Sequence, residues 1–401
     1  MNALLLFLSG LFLSLLLGYI FALQKLTNGI GERGKGKNRK RYTVSVIVPA
    51  RNEEQHIGRC LQALLQQDYP LQLLQILVID DRSEDGTAAV VKQYRRTNSN
   101  IELLQIKKTK PGFSPKKNAL HKGIQHATGE IIFTTDADCT PGPHWISQTM
   151  LLFESEVGMV AGYNPYKIVS NQKNIFVDML NLDYFAMAAV AVACANLNYP
   201  VSCTGGNLAY RKLVYEEAGG FAQFSHLPSG DDDLFMQQVR ENTTWQIRYS
   251  TNPQTFVPTQ PPTSFKEFVL QRIRYASKGR FYSKPVSRTL MAVYLLNVIL
   301  VTLSVFTIAD SNFLGPAITG YFIKSIAELI FLKKSAPVFS YKFRKGTFWL
   351  TAVLHPVYIT IAGLLGQVSG FSWKGENYPM NNLKGKSFCS AAGKRSRPFA
   401  E

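Results

Sequence analysis

Apolar residues in this chain fall into three patterns with different periods, and each period predicts a different element. Residues 3–23 are an almost uninterrupted apolar run without charge, about the 20 residues that a helix needs to cross a bilayer. Three further apolar segments lie near the other end, at roughly 290–309, 313–332 and 347–368. Between these blocks, short β-branched runs alternate with amphipathic stretches. VSVIVPA at 44–50, LQILVIDD at 74–81, IELLQI at 101–106 and IIFTTDADC at 131–139 read as strands. NEEQHIGRCLQALLQQ, SEDGTAAVVKQYRR and SPKKNALHKGIQHA read as helices; the first carries Ile57, Leu61, Leu64 and Leu65 as a stripe, and the last has Ser114 at its cap and Pro115 in its first turn. Strand and helix in turn predict an α/β fold, a mostly parallel sheet sandwiched by helices, with ligands beyond the carboxyl ends of its strands.

The 46% hydrophobic content supplies a core and excludes a disordered chain. The net charge of +17 raises the question of nucleic acid, but the cations sit beside the apolar spans and no nucleic-acid-binding motif is present. Lys25, Arg33, Lys35, Lys37, Arg39, Lys40 and Arg41 directly follow the first span, so the positive-inside rule puts the next domain in the cytoplasm, facing anionic membrane lipid. The first span lacks a basic leader and a small-residue cleavage site, and reads as a retained anchor. Lys324 and Glu328, four apart, predict a pair or a bundle-facing position within the third span. His355-Pro356 interrupts the fourth, which leaves a re-entrant path open and gives two or three C-terminal transmembrane helices. Cys60, Cys139, Cys194, Cys203 and Cys389 contain no CxxC pair and read as reduced thiols.

The expected organisation is therefore an anchor at 1–24, a basic linker at 25–42, a catalytic domain at 43–262, an amphipathic interfacial segment at 263–285, a transmembrane region at 286–370 and a basic tail at 371–401. The first strand ends in P-A-R-N-E-E and lacks the G-x-G-x-x-G of a dinucleotide fold, which argues against redox chemistry. Asp136-Ala137-Asp138 at the end of a strand suits a hard cation, Mg²⁺ or Mn²⁺, held together with a diphosphate. Asp80, Asp81, Lys116 and Lys117 fall on the same predicted rim.

VSVIVPARNEEQHIGRCLQALLQQDYP, VIDDRSEDGT, TTDADC, GGNLAYRK, SGDDDLF and QRIRYASKG follow one another in this order. The series resembles the motifs of family two glycosyltransferases with the GT-A fold, in particular membrane-bound members such as hyaluronan synthases, cellulose synthases and ceramide glucosyltransferases. The resemblance implies inverting transfer of a sugar from a nucleotide-sugar, most often a UDP-sugar, to a lipid or glycan acceptor. It implies that Pro49, Arg51 and Glu53 surround the nucleotide, that Asp81 contacts the base, and that Lys116 lies nearby. Asp136 and Asp138 take the metal and diphosphate, and Gly205, Gly206 and Asn207 line the acceptor side. The base is Asp232 by one alignment and Asp231 by another, with Asp232 preferred. Gln271, Arg272, Arg274 and Tyr275 match the Gln-x-x-Arg-Trp motif with tyrosine in place of tryptophan, and Arg274 steadies the leaving group. The protein is then an integral membrane enzyme, in the cell inner membrane if its source is a bacterium, with a cytoplasmic catalytic domain. A catalytically silent scaffold on the same fold is the rival reading.

Overall fold

A computed structural model describes residues 2–31, 36, 38–167, 174–342, 344–373 and 376–378. Arg33, Lys35 and Lys37 of the linker and the tail beyond 378 lie outside the described residues. The chain runs α1 (Asn2–Gly29), β1 (Val44–Ala50), α2 (Glu54–Leu65), β2 (Leu74–Asp81), α3 (Thr87–Thr97), β3 (Ile101–Ile106), α4 (Pro115–His126), β4 (Ile131–Thr134), α5 (Trp145–Met150), β5 (Val157–Ala161), α6 (Ile175–Asn196), β6 (Leu208–Arg211), α7 (Lys212–Glu217), α8 (Asp233–Asn242), β7 (Gln246–Tyr249), α9 (Phe265–Ser277), α10 (Lys284–Phe306), α11 (Leu314–Ser335) and α12 (Lys345–Val368).

The seven strands form one sheet in the order β3-β2-β1-β4-β6-β5-β7. β3, β2, β1 and β4 are mutually parallel, and β6 runs antiparallel to both its neighbours. Alternate residues divide the sheet's two faces, as strand geometry requires. Ile47, Leu77 and Ile79 join a core with Ala119, Leu120 and Ile124 of α4 and Phe185 of α6. Val46, Val48, Ile76 and Val78 join the opposite core with Ile57, Leu61 and Leu64 of α2 and Trp145 of α5. Burial on both faces explains why these strands read as continuous apolar runs. Pro49 sits in a central strand, but the β1–β4 ladder ends at the Ile47–Thr134 pair, so its missing N–H lies past that ladder.

Among the described residues five helices are long and apolar enough to cross a membrane, where the sequence pattern gave four. The additional one is α6. Just over half of its apolar window is buried within the protein, against 11–28% for the other four, so it is an internal helix that joins the sheet to the apolar bundle. Its contacts run to β7 on one side and to α1, α11 and α12 on the other.

The last apolar segment is not interrupted at His355-Pro356. α12 is one helix of 24 residues with Pro356 buried inside it, about 36 Å long at 1.5 Å per residue. Proline removes one backbone bond there, and packing along α9 and α10 holds the helix through it. Lys324 is buried and pairs with Glu328 at 2.6 Å, and Tyr19 of α1 donates to the same carboxylate at 2.6 Å. Residues 371–373 and 376–378, at the start of the expected tail, pair as antiparallel strands.

Candidate active site

β4 stops at Thr134, and the chain turns there, with the Cys139 N–H donating to the Asp136 carbonyl. That turn leaves Asp136 and Asp138 beyond the strand's carboxyl end. Ligand atoms of Asp136, Asp138 and Cys139 all lie within 4.8 Å of one another. Two carboxylates this close suit a hard dication. Burial, reinforced by the Asp138 and Asp136 charges, pushes the Cys139 thiol well up, and a hard dication prefers the two carboxylates to sulfur. Lys116, from the first turn of α4, places Nζ 2.8 Å from Asp136 and 3.2 Å from Asp231. Burial works against this ammonium, but Asp136 and Asp231 outweigh it and its pKa rises.

Gly205 and Gly206 lie between the two groups of acids. Thr134 Oγ1 donates to the Gly205 carbonyl at 2.8 Å, and the Gly205 N–H donates to Asp232 Oδ2 at 3.1 Å. A Cβ on Gly205 would meet Asp231 Oδ2 at 3.0 Å, and one on Gly206 would meet Asp136 Oδ2 at 3.2 Å. The glycines are there because carboxylates from two loops converge on the backbone.

Each aspartate of the triplet has its own nearest partner, although Lys278 reaches both Asp232, at 3.7 Å, and Asp233. Asp231 is buried against Lys116. Asp232 caps α8, accepting from the Asp233 N–H at 2.8 Å, and keeps one-fifth of its side chain exposed. Asp233 is buried and held by Lys278 at 2.6 Å and by Tyr282 at 2.5 Å. The triplet is therefore also an acidic helix start, favourable to the helix dipole, and all three members line one cavity, Asp232 being the most exposed of them.

Asp136, Lys116, Gly205, Gly206, Asp231, Asp232, Arg274 and Tyr275 line one cavity of about 230 Å³. One wall is apolar and comes from α6, through Met187, Ala188 and Ala191. The Tyr275 ring has the cations of Arg274, Lys278 and Arg272 at 5.1, 5.6 and 5.7 Å from its centroid, a reason for an aromatic residue there.

Three sequence candidates are turned to other tasks. Asn207 is buried and fully engaged, accepting from Trp145 Nε1 at 2.8 Å and donating to the Tyr163 and Thr255 carbonyls, so it braces the glycine turn from behind. Arg272 is buried on the far side of α9 and pairs with Asp183 of α6 at 2.5 Å. Gln271 accepts from the Tyr166 hydroxyl at 3.2 Å. Arg272 and Arg274, two positions apart at about 100° per residue, leave α9 on opposite sides, whereas Gln271 shares a face with Arg274 and Tyr275 and is taken up by Tyr166.

Pro49, Arg51, Glu53 and Asp81 lie at the adjoining strand ends, outside the cavity lining. Asp81 accepts from Arg82 at 2.9 Å. Their two loops are tied together: the Glu53 N–H donates to Thr87 Oγ1, and the Gly86 N–H to Glu54.

The sequence reading missed Lys278 and Tyr282, which hold the triplet. A signal existed for Lys278, which follows Arg274 by one helical turn. It also missed the anchoring role of Lys117, which is fully buried and donates to the Leu227 and Ser229 carbonyls ahead of the triplet.

Residues 45–218 match the model of the family described as glycosyl transferase family 2. Glycosyltransferase AglE of Haloferax volcanii is 30% identical over 195 residues, 47% of this chain and 58% of that protein. The 4,4'-diaponeurosporenoate glycosyltransferase of Staphylococcus aureus is 32% identical over 153 residues, 37% of this chain and 39% of that protein. The chain thus spans well under two thirds of the length of these curated relatives. Among solved structures, the mannosyltransferase PcManGT of Pyrobaculum calidifontis, in complex with GDP-mannose and Mn²⁺, superposes with a TM-score of 0.59 at 20% identity, over 89% of this chain and 98% of that one. That likeness speaks for the GT-A fold. Over residues 45–218 the chain carries a domain that matches glycosyl transferase family 2.

Proposed function

We propose that the protein is a membrane-bound inverting glycosyltransferase that moves a sugar from a nucleotide-diphosphate sugar to an amphiphilic, lipid-borne acceptor at the cytoplasmic face of a membrane. The observation that carries this reading is the single cavity in which Asp136, Lys116 and Arg274 meet Asp231 and Asp232.

In the proposed reaction the acceptor oxygen attacks the sugar's C1 from the side opposite the diphosphate. The new C1–O bond forms as the bond to the phosphate oxygen breaks, which inverts C1. Asp232, the most open of the three triplet acids that line the cavity, takes the hydroxyl proton. Arg274 and Lys116 meet the charge that collects on the departing diphosphate. Asp136 and Asp138 would hold Mg²⁺ or Mn²⁺, with Asp138 the principal ligand because Asp136 already pairs with Lys116. Such an ion supplies further neutralisation of the diphosphate. A mannosyltransferase of the same fold, solved with Mn²⁺, supports this by analogy of fold.

The acceptor assignment rests on the walls. α9, which presents Arg274 and Tyr275, packs along the apolar helix α12, and α6 gives the cavity an apolar side. An acceptor with an aliphatic portion suits that surface. The basic residues after α1 support a cytoplasmic position for the domain.

A panel of nucleotide-sugars, UDP-sugars first, incubated with the purified full chain, Mn²⁺ and a lipid extract tests the proposal. Labelled sugar should enter the lipid fraction, and EDTA should stop it. Intact donor across the panel would favour the silent scaffold.

A further inference from the structure

α4 uses its faces differently. Ala119, Leu120 and Ile124 pack on the sheet and Lys116 enters the cavity described above. Asn118, His121 and Lys122 line a second cavity of about 320 Å³, whose other wall is the β3–α4 loop with Lys108, Thr109 and Lys110. The two cavities share no lining residue.

The lining of the second cavity holds three lysines and no carboxylate. Among the described residues no ion pair involves Lys108, Lys110 or Lys122. Asn118 is wholly buried; its Oδ1 accepts from the Lys110 N–H at 3.3 Å, and its Nδ2 has no partner. Thr109 Oγ1 also lacks one. A buried donor without an acceptor is costly, and here it lies beside three ammonium groups. His121 points the same way: it bonds the Tyr215 hydroxyl through Nδ1 at 2.9 Å, and burial, followed by the charges of Lys110 and Lys122, lowers its pKa.

Ammonium, amide and hydroxyl donors around a space without anionic acceptors match a group that offers several acceptor oxygens and negative charge. We propose that this cavity binds a phosphate-bearing anion, at a site separate from the donor cavity. The site adjoins the catalytic loop. The Ser114 N–H donates to the Ser225 carbonyl at 2.7 Å and Ser225 Oγ to the Gly112 carbonyl at 2.9 Å, so an occupant would brace the segment that leads into the aspartate triplet.

Hydrogen exchange over residues 107–126 tests this on the full chain in phosphatidylcholine nanodiscs, with EDTA present so that the Asp136–Asp138 pair holds no metal. One arm adds inorganic phosphate, and the other replaces part of the lipid with phosphatidic acid. Slowed exchange in either arm supports the site, and the arm that responds tells free phosphate from a lipid headgroup. In the double variant Lys110→Gln/Lys122→Gln, protection should need about tenfold more phosphate or be lost, since two charge-assisted bonds are gone, while nucleoside diphosphate binding with Mn²⁺ stays unchanged. No protection in either arm, equal protection in the variant, or protection that a nucleoside diphosphate with Mn²⁺ competes away would overturn the proposal.

Discussion

Asp232→Asn isolates proton transfer from the rest of the site. Asparagine has the same outline and can still accept from the Gly205 N–H through Oδ1, the bond that Asp232 makes at 3.1 Å. What it loses structurally is the cap to the Asp233 N–H, worth about 1 kcal/mol, and the charge that faces Lys278 at 3.7 Å. Asp233 keeps Lys278 and Tyr282, so the loop stays in place. Removing a general base costs about 10²–10⁴ in rate, or roughly 3–5 kcal/mol on the barrier. The kinetic loss therefore exceeds the structural one severalfold. Asp231→Asn differs, because Lys116 retains Asp136 at 2.8 Å; it should raise the donor KM and lower kcat by about tenfold or less. Steady-state transfer with varied donor at saturating acceptor measures both. If Asp231→Asn produced the larger fall in kcat with an unchanged donor KM while Asp232→Asn stayed near wild type, the roles assigned to the two acids would be wrong.

Three further outcomes follow from the same geometry. Asp183→Asn or Arg272→Met leaves one member of a buried pair alone and should cost about 3–5 kcal/mol in detergent unfolding, with the apolar double replacement recovering much of it. Gly230 has φ 93°, and a Cβ there would sit 2.4 Å from Leu234 Cδ1; Gly230→Ala should lower the thermal transition by several degrees and reduce kcat more than it changes donor binding. Burial, opposed by Asp231 and Asp232, brings Lys117 down from 10.5 to about 7. The unfolded chain then holds more protons than the folded one between those values, so stability should rise with pH across that window, by at most about 5 kcal/mol, and Lys117→Met should flatten the rise.

The parallel half of the sheet was legible because strands buried on both faces leave a dense apolar signature; β1, β2 and β3 begin and end where the pattern placed them. α6 escaped for the opposite reason. It is apolar nearly all round, so no periodicity marked it, and Asp178, Asn181 and Asp183 interrupt its apolar run. Asp183 is tolerated inside because Arg272, 89 positions later, neutralises it, a pairing that local sequence does not announce. The same limit hid Lys278, whose partner Asp233 lies 45 residues earlier. Pro356 misled because helix-breaking is a local tendency and the packing around α12 overrides it. The acids, glycines and Arg274 were readable from motif order, whereas the turn of Arg272 towards α6 and the inward bracing by Asn207 depend on which helix face or turn meets the core.

Calorimetric titration of a nucleoside diphosphate with Mn²⁺ into the wild type, Asp138→Ala and Asp232→Asn tests most directly whether one cavity divides donor holding from acceptor activation. The account predicts that Asp138→Ala weakens binding by about tenfold or more, while Asp232→Asn binds as the wild type does. Equal loss in both variants, or full affinity in both, would contradict it.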